Sequence, residues 1–363
     1  MGHKKVIYSS FGLAAHQHCI LDLWLNARNK PTNRFGPSRV EVRPMNALGI
    51  DIGGSAVKAG VVAPNGSILA KSSVSLPEGK GHLPEPTIQA AVQAAQEALH
   101  LAESKGLAVV QAGVGVPGIV DAKNGRVIAS ANLPGLAGLP LAEILSKALQ
   151  LQVKLANDAN AAALGEAHFG TNGKLDSLVL FTLGTGIGGG IVIDGKIVTG
   201  HHGYAAELGH MRIEMSQPRP CGCGRWGCLE AYAGNKSIVK RAHEALAEDW
   251  KKSSCLHQPA ENPKFSAEQV FDAAKLGDPL ATRLVEETAL ALAVGAVNMI
   301  HALDPQLVLF AGGMTAAGED FLDLINSFAR DLTIQGVSLE NRIRFATLGA
   351  EAGLLGAAGL GMG

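Results

Sequence analysis

The sequence predicts an α/β protein of two similar domains facing each other across a cleft. Three observations carry this. A β-meander whose first turn is glycine-rich occurs twice, from Asn46 and again from Ser177. Each copy continues into strand and helix units, the pattern of layered α/β domains. The longest apolar run, ALALAVGAVNMIHAL at 289–303, contains Asn298 and His301 and is shorter than the roughly 20 residues of a membrane span, so it reads as a buried helix.

The elements follow in order. NALGIDIGGSAVKAGVVAPNGSILAKSSVSL (46–76) reads as strand, glycine turn, strand, Asn-Gly turn, strand. PTIQAAVQAAQEALHLAESKG is an amphipathic helix that stops at Gly106. AVVQAGVGVPG is a buried strand, and VKLANDANAAALGEAHFG a short strand running into a helix. SLVLFTLGTGIGGGIVIDGKIV then repeats the first meander. Helices are expected at about 233–247, 266–275 and 278–303, a strand ending in glycines at PQLVLFAGGM, and a small-residue helix at GAEAGLLGAAGLG. Two such halves bring both glycine turns to one cleft, where ligands favour binding.

Composition limits the function classes. The chain has 363 residues, 47% hydrophobic and 17% charged, a globular balance with room for two domains. A net charge of −1 gives no dedicated nucleic-acid surface. Five cysteines, three of them crowded into CGCGRWGC, do not form a disulfide framework and suit a cytoplasmic enzyme. The first 44 residues carry seven Lys/Arg against two Asp/Glu and no core-forming period. They read as a disordered appendage, in which His16, His18 and Cys19 need no metal.

Glycines in DIGGS and LGTGIGGG let backbone N–H groups approach an anion with no Cβ between. Ser55, Lys58 and Thr185 can add donors, and AGGM at 311–314 is a third such cluster. Matched turns in matched repeats point to phosphate or nucleotide binding. Neither turn is a Walker A loop or a dinucleotide fingerprint. In LANDANAAALGEA, Asp158 stands at a strand end before a helix; it either caps that helix or is a carboxylate held at the cleft as general base, with Asn157 a neutral donor beside it.

His210, Cys221, Cys223 and Cys228 are spaced H-x10-C-x-C-x4-C. This is a Cys₃His set, suited to tetrahedral zinc with no open position and hence to a structural site. Glu207 and Glu230 flank the set, and carboxylates pinned this way suit a ligand with several hydroxyls, a sugar. Loss of zinc is expected to weaken sugar binding well beyond any change in nucleotide binding, because the nucleotide loops lie elsewhere.

From about residue 46 to the C-terminus the chain resembles the ROK family (repressor, open reading frame, kinase), and within it the bacterial glucokinase branch. DIGGSAVKAG, GVPGIVD, ANLPG, NDANAAALGE, LGTGIGGGIVIDG, ELGH, CGCGRWGCLE and LVLFAGGM carry the resemblance. It implies the actin-like, ribonuclease-H-like two-domain ATPase fold and transfer of the γ-phosphoryl group of ATP to a hexose 6-hydroxyl. By resemblance Asp158 is the catalytic base, and Asn132, Asn157, Glu207, His210 and Glu230, with Asp158, are sugar ligands. Gly53, Gly54 and Ser55 match the first phosphate loop, Gly184, Thr185 and Gly186 the second, Gly312 and Gly313 the adenosine-side turn, and Asp51 the residue near Mg²⁺. The implied division is an N-terminal extension at 1–45, a small domain of 46–172 plus 346–363, and a large domain of 173–345.

Glucose leads as substrate, ahead of N-acetylglucosamine, mannose, N-acetylmannosamine and fructose. Polyphosphate is an open alternative to ATP as donor. A homodimer is expected, with no membrane or nucleic-acid partner. A sugar-responsive ROK repressor would need a DNA reader in the first 50 residues, and no periodic helix pair stands there.

Overall fold

The computed structural model describes residues 45–77, 83–171, 173–247 and 254–363, so the expected tail at 1–44 lies outside the described residues. The first meander forms from β1 (Asn46–Ile52), β2 (Ala56–Val62) and β3 (Ile68–Ser75), each pair antiparallel. Helix α1 (Pro84–Glu103) lays its alanine stripe, Ala91, Ala94, Ala95 and Ala98, into the core. β4 (Val109–Val116) follows, then a hairpin of β5 (Ile119–Asp121) and β6 (Arg126–Ala129), helix α2 (Leu141–Leu149) and β7 (Gln152–Asn157). β4 and β7 add parallel to β1, giving the order β3-β2-β1-β4-β7.

Helix α3 (Asp158–Phe169) leads to the second half. There β8 (Leu178–Leu183), β9 (Ile187–Ile193) and β10 (Lys196–Ile197) repeat the antiparallel meander. Helices α4 (Asn235–Ala247), α5 (Ala267–Lys275) and α6 (Pro279–Leu303) come next. β11 (Leu307–Ala311), helix α7 (Glu319–Leu332), β12 (Ile343–Phe345) and helix α8 (Ala352–Met362) complete the chain. β11 and β12 run parallel to β8, and the order is β10-β9-β8-β11-β12. The two sheets therefore match strand for strand. Each central strand is apolar on both faces, as Val179, Leu180 and Phe181 show, because helices cover the parallel side.

Helices α3 and α8 join the sheets. α8 is built almost wholly of Ala, Gly and Leu, α3 is rich in Ala, and both are buried on opposite faces. Glycine sets how close each layer comes. A Cβ at Gly113 of β4 would stand 1.9 Å from the Ala357 carbonyl oxygen of α8, and one at Gly356 of α8 would stand 1.6 Å from the Ala161 oxygen of α3. One at Gly190 of β9 would meet the Ala163 methyl of α3 at 2.5 Å. Where the chain returns from β12 to α8 it is held by Glu166, a buried carboxylate of α3. It accepts the backbone N–H groups of Thr347 at 3.0 Å and Leu348 at 2.7 Å.

Candidate active site

All three glycine clusters lie at the carboxyl ends of parallel strands, the usual ligand edge of an α/β sheet. DIGGS follows β1, GTG follows β8 and AGG follows β11. On the first sheet Asp51 pairs with Gly115 and Val116 with Asn157, so Asp51 and Asp158 meet at one edge. Gly115 leaves the space between them open: a Cβ there would lie 3.7 Å from Asp158 Cα and 3.9 Å from Asp51 Oδ1.

Burial raises the Asp51 carboxyl above its ordinary range. Lys58, its partner across β1–β2, opposes the shift, and the charges of Asp158 and Glu351 add to it. Lys58 Nζ also donates to the Ala350 carbonyl at 3.1 Å. A crowded, buried carboxylate with acidic neighbours fits a divalent cation, whose charge would relieve both effects.

Asn157, not Asp158, is the cap of α3. Its Oδ1 accepts from Asn160 N at 3.1 Å, while Nδ2 donates to Gly118 O at 3.0 Å and Asp158 Oδ1 at 2.9 Å. With the capping role filled by its neighbour, Asp158 at the first helical position is free for the cleft. Burial raises its carboxyl too, against the Ala159 N–H and the Asn157 amide, which favour the charged form.

The first glycine turn is closed by Gly53 N on Ala56 O at 2.9 Å, leaving Gly54 and Ser55 exposed. The second is braced by the start of α4, where Asn235 N donates to Gly184 O at 3.1 Å. In the third, Gly312 has φ 101°, and a Cβ would stand 2.3 Å from Leu183 O, so this turn lies flush on the end of β8. Thr185 and Gly313 line one cavity of about 570 Å³ with Lys236, Val239, Phe265 and Phe271. That volume and its mixed lining suit a nucleoside. These four residues carry no motif in the sequence; they come together only in the fold.

The four proposed zinc ligands converge, their ligand atoms all within 4.8 Å of one another. Cys223 Sγ and Cys228 Sγ are 3.8 Å apart, and Cys221 Sγ lies 3.9 Å from His210 Nδ1. Zn–S bonds of about 2.3 Å in a tetrahedron require S–S edges of about 3.8 Å, so the set fits zinc. Gly224 at φ 79° turns the chain between the thiols, and backbone pairing of Leu229 with Met211 sets His210 against them. Burial, with the neighbouring thiols adding, pushes the Cys221 thiol up to about 12; a cation would hold the thiolates instead.

The flanking glutamates divide. Glu207 is exposed, its Oε2 3.9 Å from His210 Nε2. Glu230 instead turns to the second glycine turn, where Oε2 accepts from Ile187 N at 3.0 Å. The expectation that the glycine turns stand clear of the zinc loop therefore fails, because β9 and the loop pack directly. Asn132 lies exposed in the turn after β6, and no hydrogen bond among the described residues joins it to the other candidates.

Comparison with known proteins fits this geometry. Glucokinase of Thermotoga maritima is 35% identical over 319 residues, 87% of this chain and 97% of that one. N-acetylmannosamine kinase of Haemophilus influenzae is 32% identical over 319 residues, 86% and 94% of the two chains. Among solved structures, a ROK hexokinase from Thermus thermophilus matches with a TM-score of 0.75 at 34% identity, over 87% of this chain and 98% of that one. A ROK family glucokinase from Streptomyces griseus, in complex with glucose and AMPPNP, matches with a TM-score of 0.69 at 34% identity, over 87% and 99%. The fold is that of the actin-like sugar kinases, the ROK family model matches residues 47–362, and the chain belongs to the ROK family.

Proposed function

We propose that this chain is an ATP-dependent hexose kinase that phosphorylates the 6-hydroxyl of glucose, with Asp158 as general base. The observation that carries it is the meeting of Asp51 and Asp158 at the edge where the first glycine turn begins, with the second turn after the matching strand β8 of the other sheet and the third after its neighbour β11. Phosphoryl transfer asks for positioning and charge neutralisation more than covalent chemistry. In this reading the glycine turns hold the triphosphate through backbone N–H groups, and the base of ATP occupies the cavity beside Thr185 and Gly313.

Asp158 takes the hydroxyl proton as the oxygen attacks. Its Oδ1 is fixed by the Asn157 amide and the Ala159 N–H, and its other oxygen is the proton acceptor. Asp51 would hold Mg²⁺, which supplies charge neutralisation on the phosphates. Glu207 and the Nε2 of His210 serve the sugar hydroxyls; His210, Cys221, Cys223 and Cys228 would hold a zinc ion, which would fix the imidazole tautomer. The small and large domains close over the sugar and exclude water.

Kinship with N-acetylmannosamine kinase supports an N-acetylated hexose as the second reading. A coupled ADP-release assay with Mg-ATP across glucose, mannose, fructose, N-acetylglucosamine and N-acetylmannosamine separates them. Glucose is expected to be fastest. A faster acetamido sugar moves the assignment, and no ADP release with any hexose removes the kinase.

A further inference from the structure

Glu230 belongs in sequence to the zinc loop, two residues after Cys228, yet its side chain serves the other half of the site. Oε2 accepts from Ile187 N at 3.0 Å, and Oε1 lies 3.6 Å from Cys221 Sγ. Gly186 is pressed against the carboxylate, since a Cβ there would stand 2.1 Å from Oε2. The backbone of Glu230 is tied as well: its carbonyl accepts Gly234 N at 3.0 Å and Ser237 Oγ at 2.7 Å, at the start of α4. That same helix start braces the turn through Asn235 N on Gly184 O at 3.1 Å.

Ile187 is gripped from its other side too. A Cβ at Gly209, in the ELGH segment, would stand 2.0 Å from the Ile187 carbonyl oxygen. Both backbone groups of the residue that ends the second glycine turn are thus covered by segments that carry zinc ligands. A turn that offers backbone N–H groups to phosphate works only if its peptide planes are held in place.

We infer that Glu230 is a positioning residue for the second phosphate turn, a strap through which an intact zinc loop sets nucleotide affinity. This rests on the kinase reading above. In the free enzyme the strap acts before any sugar arrives, so its effect is read in nucleotide binding without sugar, whatever Glu230 also does for the sugar. Zinc enters only through the geometry of the loop that carries Glu230.

The test measures the affinity of the full chain for a non-hydrolysable ATP analogue, without sugar, by calorimetry. Glu230→Ala should weaken it at least about tenfold, and so should Gly186→Ala, whose methyl displaces the carboxylate. The double variant should bind within about threefold of Glu230→Ala, because the group the methyl would strike is gone. Additive losses would overturn the strap and leave Gly186 acting by itself. Glu230→Ala with unchanged nucleotide affinity and weaker glucose affinity would make Glu230 a sugar ligand only. Zinc content and melting temperature are read on each variant, and a zinc-stripped wild-type chain should show faster amide exchange at 185–188. If the wild-type chain binds no nucleotide the kinase reading falls with the strap; if it binds and the variants match it, only the strap falls.

Discussion

His210 presents Nδ1 to Cys221 at 3.9 Å and keeps Nε2, on the opposite side of the ring, for Glu207 at 3.9 Å. One imidazole thus turns its two nitrogens to two different neighbours. A metal held by Nδ1 would fix the tautomer and leave the Nε2 proton for an acceptor outside the cluster, in the proposed function a sugar oxygen.

Elemental analysis of the untreated protein should find one zinc per chain. Cys223→Ser removes a ligand from the set and should leave less than about a tenth of that zinc. Its KM for glucose should rise roughly 10- to 100-fold, the usual cost of losing metal-site support. A folded, zinc-free variant with the normal KM for glucose would leave the metal no part in holding the sugar.

Asp158→Asn should lower kcat at least about 100-fold, the share of a general base. The fold should hold, because an amide oxygen still accepts from Asn157 Nδ2 and Ala159 N, bonds now at 2.9 Å each. Residual turnover above about a tenth of wild type would exclude Asp158 as the base.

The pH profile follows from the direction of the same carboxyl. Burial raises the Asp158 pKa above the ordinary 3.8, so this carboxylate protonates at a higher pH than a free aspartate. The acid limb of kcat/KM should therefore lie above that value. Asp51 is raised as well and feels Asp158, so the limb reports the pair. For stability the sign runs the other way to that of a salt-bridged aspartate: the folded state favours the protonated form, and this contribution is lost as pH rises through the folded pKa. A limb at or below the free-aspartate value would contradict the burial.

Glu166→Ala should destabilise by roughly 3–5 kcal/mol in urea unfolding, because it strands the N–H groups of Thr347 and Leu348 at a buried junction. Glu166→Gln should cost less, since Oε1 accepts both N–H groups and an amide oxygen in its place can still do so. Equal and small losses in both variants would show the junction to be solvated.

Much of this was legible in the sequence because local chemistry dictated it. The two meanders declared themselves through alternation and turn residues, and the convergence of His210 with the three cysteines through ligand spacing. The β5–β6 hairpin was missed although Asn124-Gly125 marks it, with Gly125 at φ 63°; its strands of three and four residues are too short to show alternation. Helix α7 was also missed despite a clear apolar face of Phe321, Leu322, Ile325 and Ala329. The Glu230 bond to Ile187 was not legible at all. It spans 43 residues and exists only because the zinc loop folds onto β9.

Glycine gives the last prediction, because two glycines that look alike in the sequence sit in opposite surroundings. Gly356 of α8 faces backbone: a Cβ would lie 1.6 Å from Ala161 O and 2.4 Å from the Ala161 carbonyl carbon. Neither atom can move without pulling α3 away from α8, and α3 starts at Asp158. Gly54 of the first turn is exposed, with nothing within 4 Å of the Cβ position. Gly356→Ala should therefore destabilise by about 3 kcal/mol or more, beyond ordinary overpacking, or prevent folding. Gly54→Ala should keep the wild-type melting temperature within a few degrees. It should still raise the KM for ATP several-fold, because the space its methyl enters is the approach of the phosphates in this reading. Thermal unfolding and steady-state kinetics on the two variants decide it. A Gly54→Ala enzyme with unaltered KM for ATP would mean that the first turn, for all its likeness to the second, does not carry phosphate.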